Sequence, residues 1–169
     1  MKKPRRRSFR KNEYVVYPSH GVGRVLSIDE QDVLGQTVKM FTVYFEKDKM
    51  TLRVPTDKAV SVGMRPLSSP DLIEQALLTI RSKPRIKRAM WSRRAQEYEQ
   101  KINSGDLIAI AEVVRDLHRK DDQREQSYSE RQLYESALDR LTRELAAVSS
   151  VSHDVAFTQV DDVLATRKS

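Results

Sequence analysis

The sequence contains no cysteine, which excludes disulfide bonds and thiolate-bound metal sites, zinc fingers among them. It has no apolar run near the roughly 20 residues that a membrane-spanning helix needs. A secretion signal would require an apolar stretch after the basic amino terminus, and the sequence has none there. The sequence therefore predicts a cytoplasmic protein without membrane association.

The signatures of catalysis are also missing. The three histidines, His20, His118 and His153, are scattered, and no spacing suits a metal ion. Gly21-Val-Gly23 lacks the third glycine of a dinucleotide-binding loop and leads into a predicted strand, where such a loop would open a helix. Together these absences predict a protein that is not an enzyme and that needs no cofactor.

What the sequence has in excess is positive charge, with a formal net charge of +7. One basic block is residues 1–11, which contain a single aromatic residue, Phe9, and are predicted to form a disordered tail. The other is residues 85–94, where no acid is present and five cations flank the only tryptophan, Trp91: Arg85, Lys87, Arg88, Arg93 and Arg94. This cluster suits nucleic acid, because cations neutralise phosphates and an apolar side chain can enter a base step.

Residues 12–67 have the pattern of a small β-domain. Short stretches rich in β-branched and aromatic residues are separated by turns, and they span residues 14–17, 22–28, 37–45 and 50–54. Short strands joined by tight turns predict a small barrel. In residues 37–45 both the odd-numbered and the even-numbered positions carry apolar residues, which predicts a strand buried on both faces. Glycines 21, 23, 35 and 63 are expected to adopt positive φ in turns.

Residues 50–54 are predicted to form an edge strand. The alternation places Met50, Leu52 and Val54 inward and Thr51 and Arg53 outward. Pro55 then ends the strand, since proline cannot donate to a further ladder hydrogen bond. An open edge of this kind is a place where another protein can bind.

From residue 68 to residue 169 the pattern predicts a compact domain of five helices. Ser69 or Asp71 caps the first, the second contains the basic block and ends near Gly105, and Asp106 caps the third. The fourth starts at Ser127, and a weaker fifth covers about residues 154–166. The predicted fold class is therefore α+β, a small barrel followed by an all-helical domain.

Trp91 has two interpretations on the predicted helix. It begins a continuous apolar stripe of a kind that more often forms core than binding surface: Trp91, Ala95, Tyr98 and Ile102. One turn before Trp91, however, the same predicted face carries Lys87 and Arg88. We therefore expect Trp91 at the rim of the core, half inside it and half outside.

Several motifs in register resemble the CarD/CdnL family of bacterial transcription regulators. The match covers about residues 12–147 and rests on Tyr14–Gly23, Leu52–Pro55, Trp91–Arg94, and Ser104–Asp106 followed by Ala111–Leu117. The resemblance implies an SH3/Tudor-like barrel that docks on the β subunit of RNA polymerase. It also implies a helical domain that contacts promoter DNA at the upstream edge of the melted bubble.

Carried over by position, the resemblance makes Arg53 the polymerase-contacting arginine, with Met50, Thr51 and Pro55 beside it on the strand. It makes Trp91 the minor-groove wedge, with the surrounding residues along the DNA backbone: Lys87, Arg88, Met90, Arg93 and Arg94. A second polymerase-contacting arginine of some members is replaced in Asp29-Glu30-Gln31, after the predicted second strand. A later basic DNA contact is replaced near Gln96.

The sequence is thus interpreted as a monomeric, non-enzymatic regulator that binds polymerase and stabilises the open promoter complex through DNA contacts independent of sequence. Two alternatives remain open. A general RNA-binding or ribosome-associated protein would share the charge and the small barrel. A protein-interaction adaptor without DNA contact would have Trp91 in its core and a merely solvated basic block.

Overall fold

The computed structural model describes residues 9–119 and 126–167, and the chain divides between Leu67 and Ser68 into two units. We call them the sheet unit and the helical unit. Residues 1–8 of the predicted tail lie outside the described residues. The tail prediction is wrong for Phe9, which is 1% exposed and packs edge-on against Phe41 with ring centroids 5.7 Å apart. The buried Phe9 ring and the hydrogen bond from the Asn12 N–H to the Val25 carbonyl, at 2.6 Å, hold the end of the predicted tail against the sheet.

The sheet unit contains five strands: β1 (Tyr14–Tyr17), β2 (Gly21–Val33), β3 (Gln36–Phe45), β4 (Met50–Pro55) and β5 (Arg65–Pro66). A short helix, α1 (Thr56–Ala59), precedes β5. The strands pair antiparallel in the order β4-β3-β2-β1-β5, so the prediction that β4 is an edge strand is confirmed. Among the described strands no pairing joins β4 to β5. Closure into a barrel therefore stays a prediction.

The core of the sheet unit lies on one face of β3. Phe41, Val43 and Phe45 are buried there, whereas Val38, Met40 and Tyr44 on the opposite face are only half-buried. The prediction that β3 is buried on both faces is therefore wrong for one of them. Apolar residues at odd and even positions make both faces of a strand hydrophobic. They do not determine whether other parts of the protein cover both faces.

A β-bulge changes the direction of the β2 side chains. The pairing shifts from Val25↔Val43 to Ser27↔Thr42, which leaves Leu26 as the extra residue. Beyond the bulge β2 continues to Val33, five residues past its predicted end at Ile28. As a result, Ser27 lies in one cross-strand row with Thr42 and with Arg53 of β4.

The glycines of the sheet unit have two different roles. Gly21, Gly35 and Gly63 adopt positive φ, as predicted. Gly23 does not, so that prediction is wrong for it. A Cβ at Gly23 would lie 2.7 Å from Val43 Cγ1 and 2.8 Å from a Phe45 ring carbon, and close packing therefore requires the glycine.

The helical unit contains the five helices that the sequence predicts: α2 (Pro70–Arg81), α3 (Trp91–Asn103), α4 (Leu107–Leu117), α5 (Tyr128–Ser149) and α6 (His153–Ala165). Ser69, Asp106 and Ser127 cap α2, α4 and α5 with side-chain hydrogen bonds. The apolar helix α4 packs against α2, α3 and α5, and its buried residues form the middle of the core. No helix in the described ranges combines the length and the apolar character that a membrane span requires.

The start of α3 differs from the prediction. The helix begins at Trp91, and residues 83–90 are not helical, so Lys87 and Arg88 do not lie one helical turn before Trp91. Pro84 disfavours helical geometry only in the residue before it, Lys83. Beyond it, the Arg85 N–H donates to Asp116 Oδ1 and not to a helical carbonyl. The basic block, residues 85–94, therefore consists of the end of the non-helical segment 83–90 and the first turn of α3.

Candidate functional site

Trp91 lies at the rim of the helical core, as expected from its place at the start of the apolar stripe. Its ring is half-buried and packs against the core, with its centroid 6.2 Å from that of Tyr98. Its indole Nε1 donates a hydrogen bond to Ser129 Oγ at 3.3 Å. The ring is therefore held in position with its polar atom paired, and part of its surface remains in solvent.

The five cations of the basic block fall into three groups. Arg85, Arg88 and Arg93 are exposed, and their side chains form no ion pair with any residue that the structure describes. Lys87 pairs with Glu97 at 3.4 Å, and both side chains are exposed. The half-buried Arg94 guanidinium lies 5.3 Å from the Trp91 ring centroid and 5.8 Å from that of Tyr98. Arg94 thus supports the aromatic rings by cation–π contact, whereas the others face solvent.

The positive end of α3 adds to this charge. Met90 at the N-cap provides no side-chain hydrogen bond, and the first turn contains no acid. The N–H groups of Arg93 and Arg94 bond to the Met90 carbonyl at 3.1 Å. Those of Trp91 and Ser92 have no bond to a described residue, and unpaired N–H groups at a helix start favour an anion. Exposed cations, a helix start and the exposed apolar side chain of Met90 therefore occur together.

We call this region the Trp91 surface: Lys87, Arg88, Met90, Trp91 and Arg93. The non-helical segment before it is held against α4, because the Arg85 N–H donates to Asp116 Oδ1 at 3.0 Å. Asp116 is buried and also accepts from Arg115 Nε at 2.8 Å. Asp116 and Ser129 are not evident as site residues from the sequence, because they lie 31 and 38 residues from Arg85 and Trp91, which they contact.

A cavity of about 410 Å³ lies between the non-helical segment and helices α3 and α4. Its lining contains both cations and acids, with ion pairs between Lys87 and Glu97 and between Lys101 and Glu112. No three acidic or histidine side chains in the described ranges are placed to hold a metal ion. The cavity is therefore a mixed-charge cleft that shares Lys87 with the Trp91 surface.

Buried polar groups fix the end of α4 that carries Asp116. Arg167 donates to the Arg115 carbonyl at 2.7 Å, and burial lowers the pKa of Arg167. The Tyr134 hydroxyl lies 2.9 Å from His118 Nδ1. Burial, aided by Asp161, raises the pKa of Tyr134 to about 12, so the phenol stays protonated at neutral pH. These contacts keep Asp116 in place beneath the basic segment.

The second set of predicted site residues lies on β4. Arg53 and Thr51 are exposed, whereas Met50 and Pro55 are half-buried. Arg53 is paired in register with Thr42 on β3 and forms no ion pair with a described residue. Asp29-Glu30-Gln31, the stretch in which the resemblance expects a second arginine, lies within β2 and not after it. Asp29 accepts hydrogen bonds from Ser27 at 2.6 Å and Thr42 at 3.4 Å. The outer face at this edge is thus mixed, because Met40 and Tyr44 of β3 lie on it beside Thr42. Arg53 is exposed there and available to a partner.

Comparison with known proteins gives matches in both units. Residues 9–68 match the family model "CarD-like/TRCF RID domain", and residues 75–161 match "CarD, C-terminal domain". The chain is 26% identical over 144 residues to "Putative transcription factor YdeB" of Bacillus subtilis (strain 168), covering 85% of this chain and 94% of that protein. The solution NMR structure of the 72-residue N-terminal domain of Myxococcus xanthus CarD is 37% identical, covers 34% of this chain and 76% of that one, and has a TM-score of 0.30. With models matched along both units, the chain belongs to the CarD/CdnL family.

Proposed function

We propose that this protein is a transcription regulator that binds the β subunit of RNA polymerase through β4 and stabilises the open promoter complex through the Trp91 surface. Family membership and the name of the Bacillus subtilis relative support a role in transcription. The observation that carries the DNA contact is the position of Trp91, half-buried beside exposed cations at an uncapped helix start. Residues 68–169 are thereby assigned as the DNA-binding domain.

The Trp91 surface suits the edge of a melted duplex. Arg88, Arg93 and Lys87 can neutralise phosphates without reading sequence, and the free N–H groups of α3 can bind one more phosphate oxygen. Met90 and Trp91 present apolar surface that can enter the minor groove and widen a base step that is already partly open. This combination predicts DNA binding that is independent of sequence and that favours distorted DNA.

The β4 edge suits a protein partner. The exposed Arg53 and Thr51 can contact an acidic and polar surface, and an open strand edge can accept a further strand. The match to the RID domain supports polymerase as this partner. We assign residues 12–67, with a Tudor-like fold, to that contact as part of the proposal. Holding the protein on polymerase raises the local concentration of a weak DNA-binding surface near the promoter. Polymerase then selects the site.

A regulator shifts the closed–open equilibrium only by the difference in its affinity for the two states. In our proposal Trp91 provides that difference, because it fits the distorted fork better than the intact duplex. The adaptor alternative places Trp91 in the core and leaves the basic block merely solvated. The half-burial of Trp91 and the exposure of Met90, which is 78% exposed, favour the nucleic-acid contact instead.

The proposed DNA contact is tested by the salt dependence of binding. About four phosphate contacts should give a slope of roughly −3 to −4 for log K against log salt. Glu97→Gln releases Lys87 from its ion pair, so DNA affinity should rise by about two- to fivefold and the slope should steepen. The measurement is fluorescence anisotropy with labelled duplexes of unrelated sequence.

Glu99→Gln is the matched control, because Glu99 is an exposed acid on the same helix that forms no ion pair with a described residue. It removes the same charge and should raise affinity less than Glu97→Gln does. Binding that ignores salt, or that depends strongly on sequence, would contradict the proposed contact. Equal effects of the two variants on DNA affinity would show that Lys87 is not part of the proposed DNA contact.

A further inference from the structure

The start of α5 lies beside Trp91 and carries an exposed aromatic residue. Ser129 of α5 accepts the hydrogen bond from the indole, and the residue before it is Tyr128. Tyr128 is 79% exposed, the most exposed aromatic side chain in the described ranges, and it forms no hydrogen bond with a described residue. Its ring therefore contributes little to the folded core.

We propose that Tyr128 and Trp91 together form a subsite for an unpaired nucleobase, with Trp91 opening the base step and Tyr128 stacking on the base that leaves the duplex. This inference rests on the proposed function and identifies its ligand more narrowly, as DNA with an unpaired base next to a duplex end. Any of the bases can stack on a tyrosine ring, so the subsite reads strand separation and not sequence.

The spacing suits this arrangement. The indole nitrogen lies 3.3 Å from Ser129 Oγ. Consecutive Cα atoms are about 3.8 Å apart, so the Tyr128 Cα lies within about 10 Å of that nitrogen. Stacked bases of one strand are about 3.4 Å apart, and this separation is therefore at most about three base steps. The Tyr128 backbone is therefore close enough to Trp91 for the proposed stacking of its exposed ring on a displaced base.

The surroundings of Trp91 indicate why a second ring is needed. The Trp91 ring is half-buried, with the Arg94 guanidinium 5.3 Å from its centroid and Tyr98 packed against it on the core side. Trp91 therefore has limited surface on which a displaced base could stack. Ser129 fixes the orientation of the indole, and Tyr128 supplies the exposed ring.

The test compares the binding of full-length protein to two DNAs of the same sequence, a blunt duplex and a fork with one unpaired arm. Wild type should bind the fork at least about fivefold more tightly, as expected when one base stacks on an aromatic ring. Tyr128→Ala should lose this preference, whereas Tyr128→Phe should keep it because the ring remains. Tyr14→Ala removes an exposed tyrosine from β1 of the sheet unit and should leave the preference unchanged.

A direct readout places 2-aminopurine at the first unpaired position of the fork. Its fluorescence should be quenched by wild type and by Tyr128→Phe, but not by Tyr128→Ala. If Tyr128→Ala keeps both the preference and the quenching, the subsite is wrong. If Trp91→Ala nevertheless weakens binding to both DNAs in that case, the proposed function stands without the subsite. If wild type binds neither DNA, the proposed function fails and the subsite fails with it.

Discussion

Replacing Trp91 by alanine is expected to abolish the stabilisation of the open promoter complex while leaving a folded protein that still binds RNA polymerase. A fully buried tryptophan truncated to alanine costs about 3–5 kcal/mol of stability. Trp91 is only half-buried, and Tyr98 and Ile102 retain the core beneath it. We therefore expect a loss of only about 1–2 kcal/mol, from the lost ring contacts and the hydrogen bond to Ser129.

The loss of function should be much larger than the loss of stability, because the apolar surface that compensates for opening a base step is gone. Three measurements on one variant separate the possibilities: the thermal midpoint, the affinity for polymerase and the decay rate of the open complex. Phe157→Ala is the control, since Phe157 is an exposed aromatic residue on α6 of the same unit. A collapsed melting curve would make Trp91 a core residue. Normal promoter stabilisation by a well-folded variant would exclude it as a wedge.

Arg53→Glu is expected to weaken binding to the polymerase β subunit by at least tenfold. Arg53 is exposed on the edge strand and has no ion pair with a described residue, so the substitution should leave the fold intact. Reversing one charge at an interface replaces attraction by repulsion, and like charges brought together in this way lower affinity strongly. The affinity of the free protein for DNA should hardly change, because Arg53 belongs to the sheet unit.

Lys58→Glu is the matched control, with the same charge change on the exposed surface of α1 in the same unit. It should bind the β subunit nearly as wild type does. Binding is best measured by surface plasmon resonance with the immobilised β fragment, alongside the melting temperature of each variant. Wild-type affinity for Arg53→Glu would show that β4 is not the docking edge. Equal losses in both variants would indicate a general charge effect.

Local patterns predicted much of the fold. The helix starts at Ser69, Asp106 and Ser127 were predictable because a capping side chain bonds to N–H groups two or three residues ahead of it. The edge strand was predictable because alternation and a terminal proline are properties of neighbouring residues. The true start of α3 was missed because the cation-rich stretch after Pro84 continues the helical spacing up to Trp91, and the contact of the Arg85 backbone with Asp116 is distant in sequence.

What could not be predicted depends on contacts between distant parts of the chain. Asp116 lies on an apolar helix, and nothing near it indicates that it holds the Arg85 backbone. The packing role of Gly23 depends on Val43 and Phe45 of another strand. The burial of Phe9 likewise depends on Phe41. In the candidate site, the cations could be identified from composition, but their division into exposed, paired and ring-supporting groups required the folded arrangement.

The central claim is that one protein couples polymerase docking to stabilisation of the DNA fork. The most direct test is the lifetime of preformed polymerase–promoter complexes after addition of excess competitor promoter, with and without this protein. We predict a lifetime severalfold longer with wild type, and no extension when the same concentration of Arg53→Glu or Trp91→Ala replaces it. An unchanged lifetime with wild type, or an equal extension by either variant, would contradict the account.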